Sequence, residues 1–395
     1  LDKPFIGGIK CLGPFIIDID ETADEIILPK SDVYFCVPKI QKKCVRVPNI
    51  NVFAAMRKSP KKVIIEDENI RYDDDLMYKL SNRYIEELES RVSRYKTVDG
   101  ILYSADMKTL ILCPAGKTGE VTIPDGVERI RKQAFFGSKI SKVVFPDSLV
   151  RLQNEAFYGC ENLKEIDFGN GIEQIGGAEN KHIFSGCPVE KLIFPPQVKE
   201  IGISAFYSCG ELKEIIFEEG LKYIREGAFK NCPKLTEVNL PESIKNVGLD
   251  AFVCEIAREK IQDININLTT IPKGLGRAII HPGSMQTPRC VNVHVHNKNE
   301  TFDFVIPDCV SATTNGYSEI VTGFNLMASD PEYCKKFHHL KWLNTAFMYA
   351  ANSRFKYVCA YKTYKRTKNE LAKEYLIDYQ KMAADAIALE LAEKD

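Results

Sequence analysis

The sequence has 395 residues, 45% of them hydrophobic, so the chain can bury a sizeable core and global disorder is excluded. Its 53 lysines and arginines nearly balance its 54 aspartates and glutamates, which argues against the basic footprint of a nucleic-acid or anionic-membrane binder. No run approaches the roughly 18 consecutive apolar residues that suggest a membrane-spanning helix. We therefore expect neither a nucleic-acid partner nor a membrane span.

Three short apolar segments at residues 26–29, 45–48 and 63–65 lie about one short repeat apart near the N-terminus. Terminal repeats of an array are usually atypical in sequence. The segments therefore predict degenerate repeats that form an N-terminal cap. A small separate α/β module is the alternative.

Residues 73–95 place Leu76, Leu80, Leu88, Val92 and Tyr95 at helical spacing. Aspartates at 73–75 precede this run, where a helix N-terminus favours negative charge. We expect an amphipathic helix inserted between two strands.

A polar turn at 105–107 separates apolar segments at 98–104 and 108–114. This arrangement predicts a β-hairpin. The chain then enters a regular array at residues 121–124.

A phenylalanine step recurs through the middle of the chain at intervals of 22, 27, 22, 23 and 23 residues. A fixed period of this size is typical of a solenoid. The longest interval contains an insertion at 176–181, which we expect to form a surface loop. The recurring residues are Phe135, Phe157, Phe184, Phe206, Phe229 and Phe252.

Each repeat contains two apolar registers and a small residue, usually cysteine, three positions after the phenylalanine. The alternation of the first register predicts a strand with inward residues two apart. Stacking these units would give one continuous core of Phe, Ile and Cys ladders. The strand pairs are Val143/Phe145, Ile166/Phe168, Leu192/Phe194, Ile215/Phe217 and Val238/Leu240; the second register is Ile130, Leu152, Ile175, Ile201, Ile224 and Val247; the small residues are Ser138, Cys160, Cys187, Cys209 and Cys232.

This repeat, Ile-x-x-x-Ala-Phe-x-x-Cys-x-x-Leu-x-x-Ile-x-Phe-Pro, resembles the BspA-like leucine-rich repeat family, a treponemal-type class with repeats of about 23 residues. The resemblance covers residues 98–254, including the hairpin that often precedes such arrays. It implies a right-handed solenoid with a strand along one face and a bacterial protein- or surface-binding scaffold. The family supplies no catalytic residue, and the insertion, the N-terminal helix and the C-terminal part depart from its pattern.

The C-terminal part begins with an alternating strand at 263–268 and a second hairpin of strands 290–296 and 301–307. Asp330 and Pro331 suit the N-cap and first position of a helix. We expect further helices at 354–362 and beyond 370, the last with an apolar stripe. That stripe favours packing between helices over a partner surface, and it comprises Leu371, Tyr375, Tyr379, Met382, Ala386 and Leu389.

We therefore expect a β-rich α+β fold, a right-handed leucine-rich-repeat solenoid with a divergent cap and a C-terminal hairpin plus helical segment. The domains would be 1–97 for the cap with its inserted helix, 98–262 for the array and 263–395 for the C-terminal segment.

Four clusters could carry chemistry, and for each the structural interpretation is preferred. His294 and His296 share one strand face, but two ligands do not close a metal site, so exposed histidines are favoured. The cysteine series indicates buried thiols, because free cysteine behaves as a small hydrophobe. The pair His338-His339 and the basic cluster Lys362, Lys365, Arg366 and Lys368 indicate ordinary helix surfaces, with nucleic-acid or anionic-lipid contact the alternative for the basic cluster. We expect no metal, no cofactor and no enzymatic activity.

Outward strand positions offer a better candidate site. The candidate binding residues are the apolar Val144, Ile193 and Ile216 and the charged Lys191 and Glu214. Exposed apolar residues on a solenoid face are typical of a protein-binding surface, although terminal helices folding over the face would explain them equally. We expect non-catalytic binding of a protein partner, in adhesion or host interaction. The alternatives are a structural module of a larger protein and an uncharacterised activity in 263–395.

The 13 cysteines are odd in number and evenly spread, which disfavours a disulfide framework. This usage favours a reducing compartment such as the cytoplasm. Because the chain starts at Leu1 without methionine, a removed N-terminal signal would instead indicate a secreted or cell-surface protein.

Overall fold

A computed structural model provides the structure of the chain. It describes residues 4–12, 15–20, 22–30, 34–35, 44–48, 60–68, 84–255, 261–283, 288–297, 301–312, 315–330, 343 and 345–392. The chain forms two compact units. Unit 1 comprises Leu1–Ile172 and His182–Cys187, and unit 2 comprises Glu173–Lys181 and Pro188–Asp395.

Unit 1 begins with short strands, and four of them form a parallel ladder in the order β3 (Glu25–Ile27), β5 (Cys44–Val47), β6 (Lys62–Ile65) and β7 (Glu87–Ser90). Each strand of the ladder pairs with its neighbour in this order, bringing Ile26, Val45, Val63 and Leu88 into one buried row. A sequential parallel order is the topology of stacked repeats, so the degenerate N-terminal repeats are confirmed. The other strands of this part are β1 (Ile9–Leu12), β2 (Phe15–Ile19), β4 (Tyr34–Phe35) and β8 (Tyr95–Val98).

The helix expected over residues 73–95 is wrong for its described part, because Glu87–Ser90 and Tyr95–Val98 are strands. Leu88 pairs with Val63 in the parallel ladder, and Tyr95 pairs with Ser104 in an antiparallel one. The sheet therefore satisfies backbone groups that a helix would have paired internally. Leu76 and Leu80 lie outside the described residues.

The rest of unit 1 contains the predicted hairpin and the first regular repeats. Strands β9 (Ile101–Ser104) and β10 (Thr109–Leu112) pair antiparallel, which confirms the hairpin. Two parallel sets follow. The first register comprises β11 (Thr118–Thr122), β13 (Lys139–Val144) and β15 (Glu165–Asp167), and the second comprises β10 with β12 (Arg129–Ile130) and β14 (Arg151–Leu152).

Unit 2 repeats the same two registers. The second register is the parallel set β16 (Gln174–Ile175), β18 (Glu200–Ile201), β20 (Tyr223–Ile224) and β22 (Asn246–Val247). The first register supplies β17 (Lys191–Phe194), β19 (Glu214–Phe217), β21 (Glu237–Asn239) and β23 (Ile264–Leu268). Strand β23 confirms the strand expected at 263–268, and the tip of the insertion at 176–181 lies on the surface, as expected.

Phenylalanines stack within each unit, which confirms the predicted ladders. In unit 1 the Phe135 and Phe157 rings lie 4.4 Å apart and nearly parallel at 15°. In unit 2 the Phe206 and Phe229 ring centroids are 5.5 Å apart, with 5° between their planes. The solenoid expected from the period is therefore the fold of the array.

A left-handed backbone conformation recurs two residues before each phenylalanine of the array. Glycine adopts it at Gly227 with φ 59°, but Gln133 and Glu155 adopt it at 56° and 55° in other repeats. This conformation carries a steric cost for residues with a Cβ. The turn between the two registers is thus set by the stacking of repeats rather than by a glycine in each one.

The C-terminal hairpin is confirmed with its full register, from Cys290 opposite Pro307 to His296 opposite Thr301. Its strands are β25 (Cys290–His296) and β26 (Thr301–Pro307), and β25 extends the parallel ladder β21-β23. Strands β24 (His281–Pro282) and β27 (Cys309–Val310) pair separately, and a short helix α1 (Leu275–Ile279) precedes them.

Helix α2 (Gly316–Ser329) was not expected from the sequence. Asp330, expected as an N-cap, is its C-cap, and its backbone N–H donates to Leu326 O. Most of the helix expected to follow Asp330 lies outside the described residues. A 3-10 helix, Ala346–Tyr349, contains Phe347.

Three helices end the described chain: α3 (Ser353–Thr367), α4 (Glu370–Asp378) and α5 (Gln380–Ala392). Asn352 caps α3, its side-chain oxygen accepting from two backbone N–H groups, and Asn369 caps α4 by accepting from the backbone N–H of Ala372. Their apolar cluster packs on the outward side of the hairpin and includes Cys290, Val305, Phe355 and Cys359.

The apolar stripe expected to pack between helices does so only in part. Tyr375 and Ala386 contact the apolar cluster. The stripe is broken because α4 and α5 are separate helices whose buried residues are alanines. The remaining members of the stripe are exposed: Leu371, Tyr379, Met382 and Leu389.

Candidate strand-face site

The outward side of strands β17 and β19 in unit 2 carries four of the five residues selected from the sequence. Lys191 pairs in register with Glu214, and Ile193 pairs with Ile216. Alternation along each strand turns these side chains outward, while Leu192 stays buried beneath them. Lys191 Nζ lies 2.9 Å from Glu214 Oε1, and Ile193 remains 51% exposed.

Val144, the fifth selected residue, lies on β13 in unit 1 and is half-buried. Its register neighbours are polar, Thr122 on one side and Asp167 on the other. Lys142 on the same strand lies 3.4 Å from Glu120, whose charge raises the pKa of that lysine. Val144 is therefore a single apolar residue in a polar row.

Beyond Ile216 the strand face of unit 2 becomes an asparagine ladder. Asn267 Nδ2 donates to Asn239 Oδ1 at 2.8 Å and to Glu237 Oε1 at 3.3 Å. Asn292 Nδ2 donates to Asn265 Oδ1 at 3.0 Å. These side-chain bonds cross β21, β23 and β25 and hold the polar face rigid.

Helix α3 covers the outward side of the hairpin at the end of this face. Lys362 Nζ lies 2.8 Å from Asp263 Oδ2 and 3.1 Å from Glu390 Oε1, which joins the helices to the start of β23. The covering of the face by terminal helices is therefore confirmed only at the hairpin, and the binding role of the open part stays a prediction. The face is covered at β25 and β26 and open at Ile193.

A shallow depression of about 350 Å³ lies where the open strand face meets α3. His294 is buried there, contrary to the expected exposure, and contacts Asp303 through Nδ1 and Arg366 through Nε2. The His294 and His296 rings are 6.3 Å apart and nearly parallel. The lining residues are Glu237, Asn265, Asn267, His294, His296 and Arg366.

Sequence reasoning missed Asp303 and predicted an ordinary helix surface at Arg366, which is exposed but also contacts His294. Lys362 of that cluster is mostly buried in its ion pairs, whereas Lys365 and Lys368 lie over Tyr361 and Tyr364. Asp303 lies opposite His294 across the hairpin, so the hairpin register was a signal that could have found this pair. His338 and His339 lie outside the described residues.

The cysteine ladder is structural. The Cys160 thiol donates to Phe135 O at 3.0 Å, and the Cys232 thiol donates to Phe206 O at 3.4 Å. Each bond joins a cysteine to the preceding repeat, and burial raises the pKa of the Cys232 thiol well above its usual range. The cysteines among the described residues are free thiols.

One cluster in unit 2 has the donor types of a cation site: Asp250, Glu255 and His281. Lys230 Nζ lies 2.8 Å from both Asp250 Oδ2 and Glu255 Oε1. The ammonium group therefore supplies the positive charge that these carboxylates require. We interpret this cluster as a salt-bridge network.

The array matches the family model described as BspA type Leucine rich repeat region, in six copies over residues 115–179 and 179–275. No curated protein matches the sequence significantly. Among the described helices, none is long and apolar enough to cross a membrane.

Several solved bacterial structures are similar to the chain. The pneumococcal vaccine antigen PcpA is 17% identical with a TM-score of 0.39, and the match covers 62% of this chain and 63% of that one. A leucine rich cell surface protein from Faecalibacterium prausnitzii is 20% identical with a TM-score of 0.40, over 60% of each chain. The T. pallidum leucine-rich-repeat protein is 26% identical with a TM-score of 0.31, over 42% of this chain and 87% of that one. The chain thus spans about three fifths of the length of the first two proteins.

The stacked registers and the outward strand face define a leucine-rich-repeat scaffold. The array at residues 115–275 belongs to the BspA type of these repeats.

Proposed function

We propose that the strand face of unit 2 binds a protein partner without catalysis. The exposed Ile193 beside Ile216 on paired strands is the observation that carries the proposal. An apolar side chain held on a rigid sheet loses little conformational entropy on binding. The Lys191–Glu214 ion pair beside it gives the apolar residues the polar rim that is typical of a protein interface.

A photo-crosslinking amino acid at position 193 tests the proposal in cells of the source organism. We expect it to crosslink one protein, which is then purified for affinity measurements. Ile193→Asp should weaken binding of that protein at least about tenfold, since a charge would replace an apolar contact.

Val150→Asp is the matched control, because Val150 is 60% exposed and lies in unit 1 directly before β14, outside the strand face of unit 2. Both variants should keep the thermal stability of the native chain. Equal weakening by both variants, or no weakening by Ile193→Asp, would contradict the assignment of the strand face. A large loss of stability in Ile193→Asp would show that Ile193 contributes to the core.

A further inference from the structure

The guanidinium group of Arg366 is positioned by a chain of two hydrogen bonds. Arginine is permanently protonated and can only donate, so His294 Nε2 must accept from it. The remaining proton of the neutral imidazole is then on Nδ1, which donates to Asp303. Asp303 thus sets the tautomer of His294, and His294 in turn orients Arg366.

Arg366 lines the depression and is exposed, although its helix packs on the hairpin. Lys362, one turn earlier on α3, pairs with Asp263 and Glu390. Arg366 has no carboxylate partner among the described residues. A guanidinium has five N–H donors in a planar fork that matches the two oxygens of a carboxylate, and His294 engages the end of only one arm.

The other polar groups of the depression mostly satisfy one another. Glu237 accepts from Asn267 at 3.3 Å and from Asn239 at 3.4 Å. Asn265 donates to Thr236 O at 3.2 Å. Because Glu237 is a nearby negative charge, the site suits a singly charged carboxylate better than a doubly charged phosphate.

We propose that this depression anchors a carboxylate of the partner segment that lies on the strand face, an inference that rests on the proposed function. Ile193, Ile216, Asn239, Asn267 and His294 occupy equivalent positions on successive strands of unit 2. Four strand steps of roughly 4.8 Å separate the first from the last, a span of about 19 Å. An extended segment covers this span with about six residues.

The partner segment therefore carries an apolar residue for Ile193 and a carboxylate about six residues away. The carboxylate can be an acidic side chain or a chain terminus, since the fork of Arg366 recognises both. Peptides with free and amidated C-termini distinguish these two sources.

The test uses the full chain and a library of random decapeptides, prepared with free and with amidated C-termini. The native chain should retain peptides with an apolar residue about six positions from Asp, Glu or a free terminus. Arg366→Gln should weaken the binding of these peptides roughly tenfold and remove the preference for a carboxylate. Lys365→Gln is the matched control, because Lys365 lies over the Tyr361 ring and does not line the depression.

The outcomes separate the two proposals. The native chain could retain peptides that Ile193→Asp does not retain, yet with no preference for a carboxylate. This result would overturn the proposed carboxylate anchor and leave the binding role of the strand face intact. Unchanged preference in Arg366→Gln would overturn the anchor as well. If the native chain retains no peptide, or if Ile193→Asp retains the same ones, the binding role of the strand face fails and the anchor fails with it.

Discussion

Arg289 and Asp308 form a buried ion pair that links the last repeats of unit 2 to the C-terminal hairpin. Arg289 is 2% exposed and Asp308 is 1% exposed. The Arg289 guanidinium donates to Leu235 O at 3.3 Å and to Phe252 O at 2.8 Å, and its backbone N–H donates to Asp308 Oδ1 at 3.0 Å. We expect Arg289→Leu to destabilise unit 2, because it removes this ion pair and both carbonyl hydrogen bonds.

The substitution would leave two buried carbonyl groups without their donor and one buried carboxyl group without the positive charge beside it. Breaking a buried pair by removing one partner typically costs about 3–5 kcal/mol. Above about pH 7, where the Asp308 carboxyl group is charged, we expect the free energy of unfolding of unit 2 to fall by that amount. The matched control is Lys199→Leu, because Lys199 is 45% exposed and its partner Glu173, 2.7 Å away, is 59% exposed. A largely exposed pair is worth no more than about 1 kcal/mol.

Hydrogen exchange of amides in unit 2 measures this difference, since it reports local opening within an array. Protection should decrease most in β21, β23 and β25, whose repeats the guanidinium joins. Equal losses in the two variants would refute the reasoning. So would a loss below about 1 kcal/mol in Arg289→Leu, because the buried groups would then have found other partners.

Two further predictions concern pH and backbone conformation. Burial raises the pKa of Asp308 from 3.8 to about 7 against the opposing charge of Arg289, so the folded chain binds a proton that the unfolded chain releases between these values. The contribution of Asp308 to the free energy of unfolding should therefore be greatest below pH 3.8 and fall by up to roughly 4 kcal/mol as the pH rises to about 7. Chemical denaturation of Asp308→Asn at a series of pH values should lack this fall. A pH profile equal to that of the native chain would contradict the prediction. Gly227→Ala should lower the free energy of unfolding by about 1–2 kcal/mol, because the φ of Gly227 is 59°. Gly210→Ala should be nearly neutral, because an added Cβ there meets nothing within 4 Å. Equal melting temperatures for the two variants would show that the left-handed turn relaxes.

The misplaced helix shows where periodicity misleads. Leu88, Val92 and Tyr95 have helical spacing, yet Leu88 belongs to a parallel strand and Tyr95 to an antiparallel one. The spacing arises from a strand, a turn and another strand that each place an apolar residue inward. The spacing of short apolar runs does not distinguish a helix from a strand. The pairing of Leu88 with Val63 in the parallel ladder is what makes this segment a strand.

The sequence by itself determined the repeat architecture of this protein. Within each unit, phenylalanines one period apart stack on each other, as Phe206 and Phe229 do, so the spacing in the sequence predicts these contacts. The outward direction of Ile193 followed from strand alternation in the same way.

Only the tertiary structure decided what surrounds that face. His294 and Arg366 are 72 residues apart, and no period relates the hairpin to α3. Their contact depends on the docking of a non-repetitive helix, which also covers one end of the strand face and leaves Ile193 open. Periodic neighbours can be deduced from local spacing, whereas a contact made once in the chain depends on the packing of the whole unit.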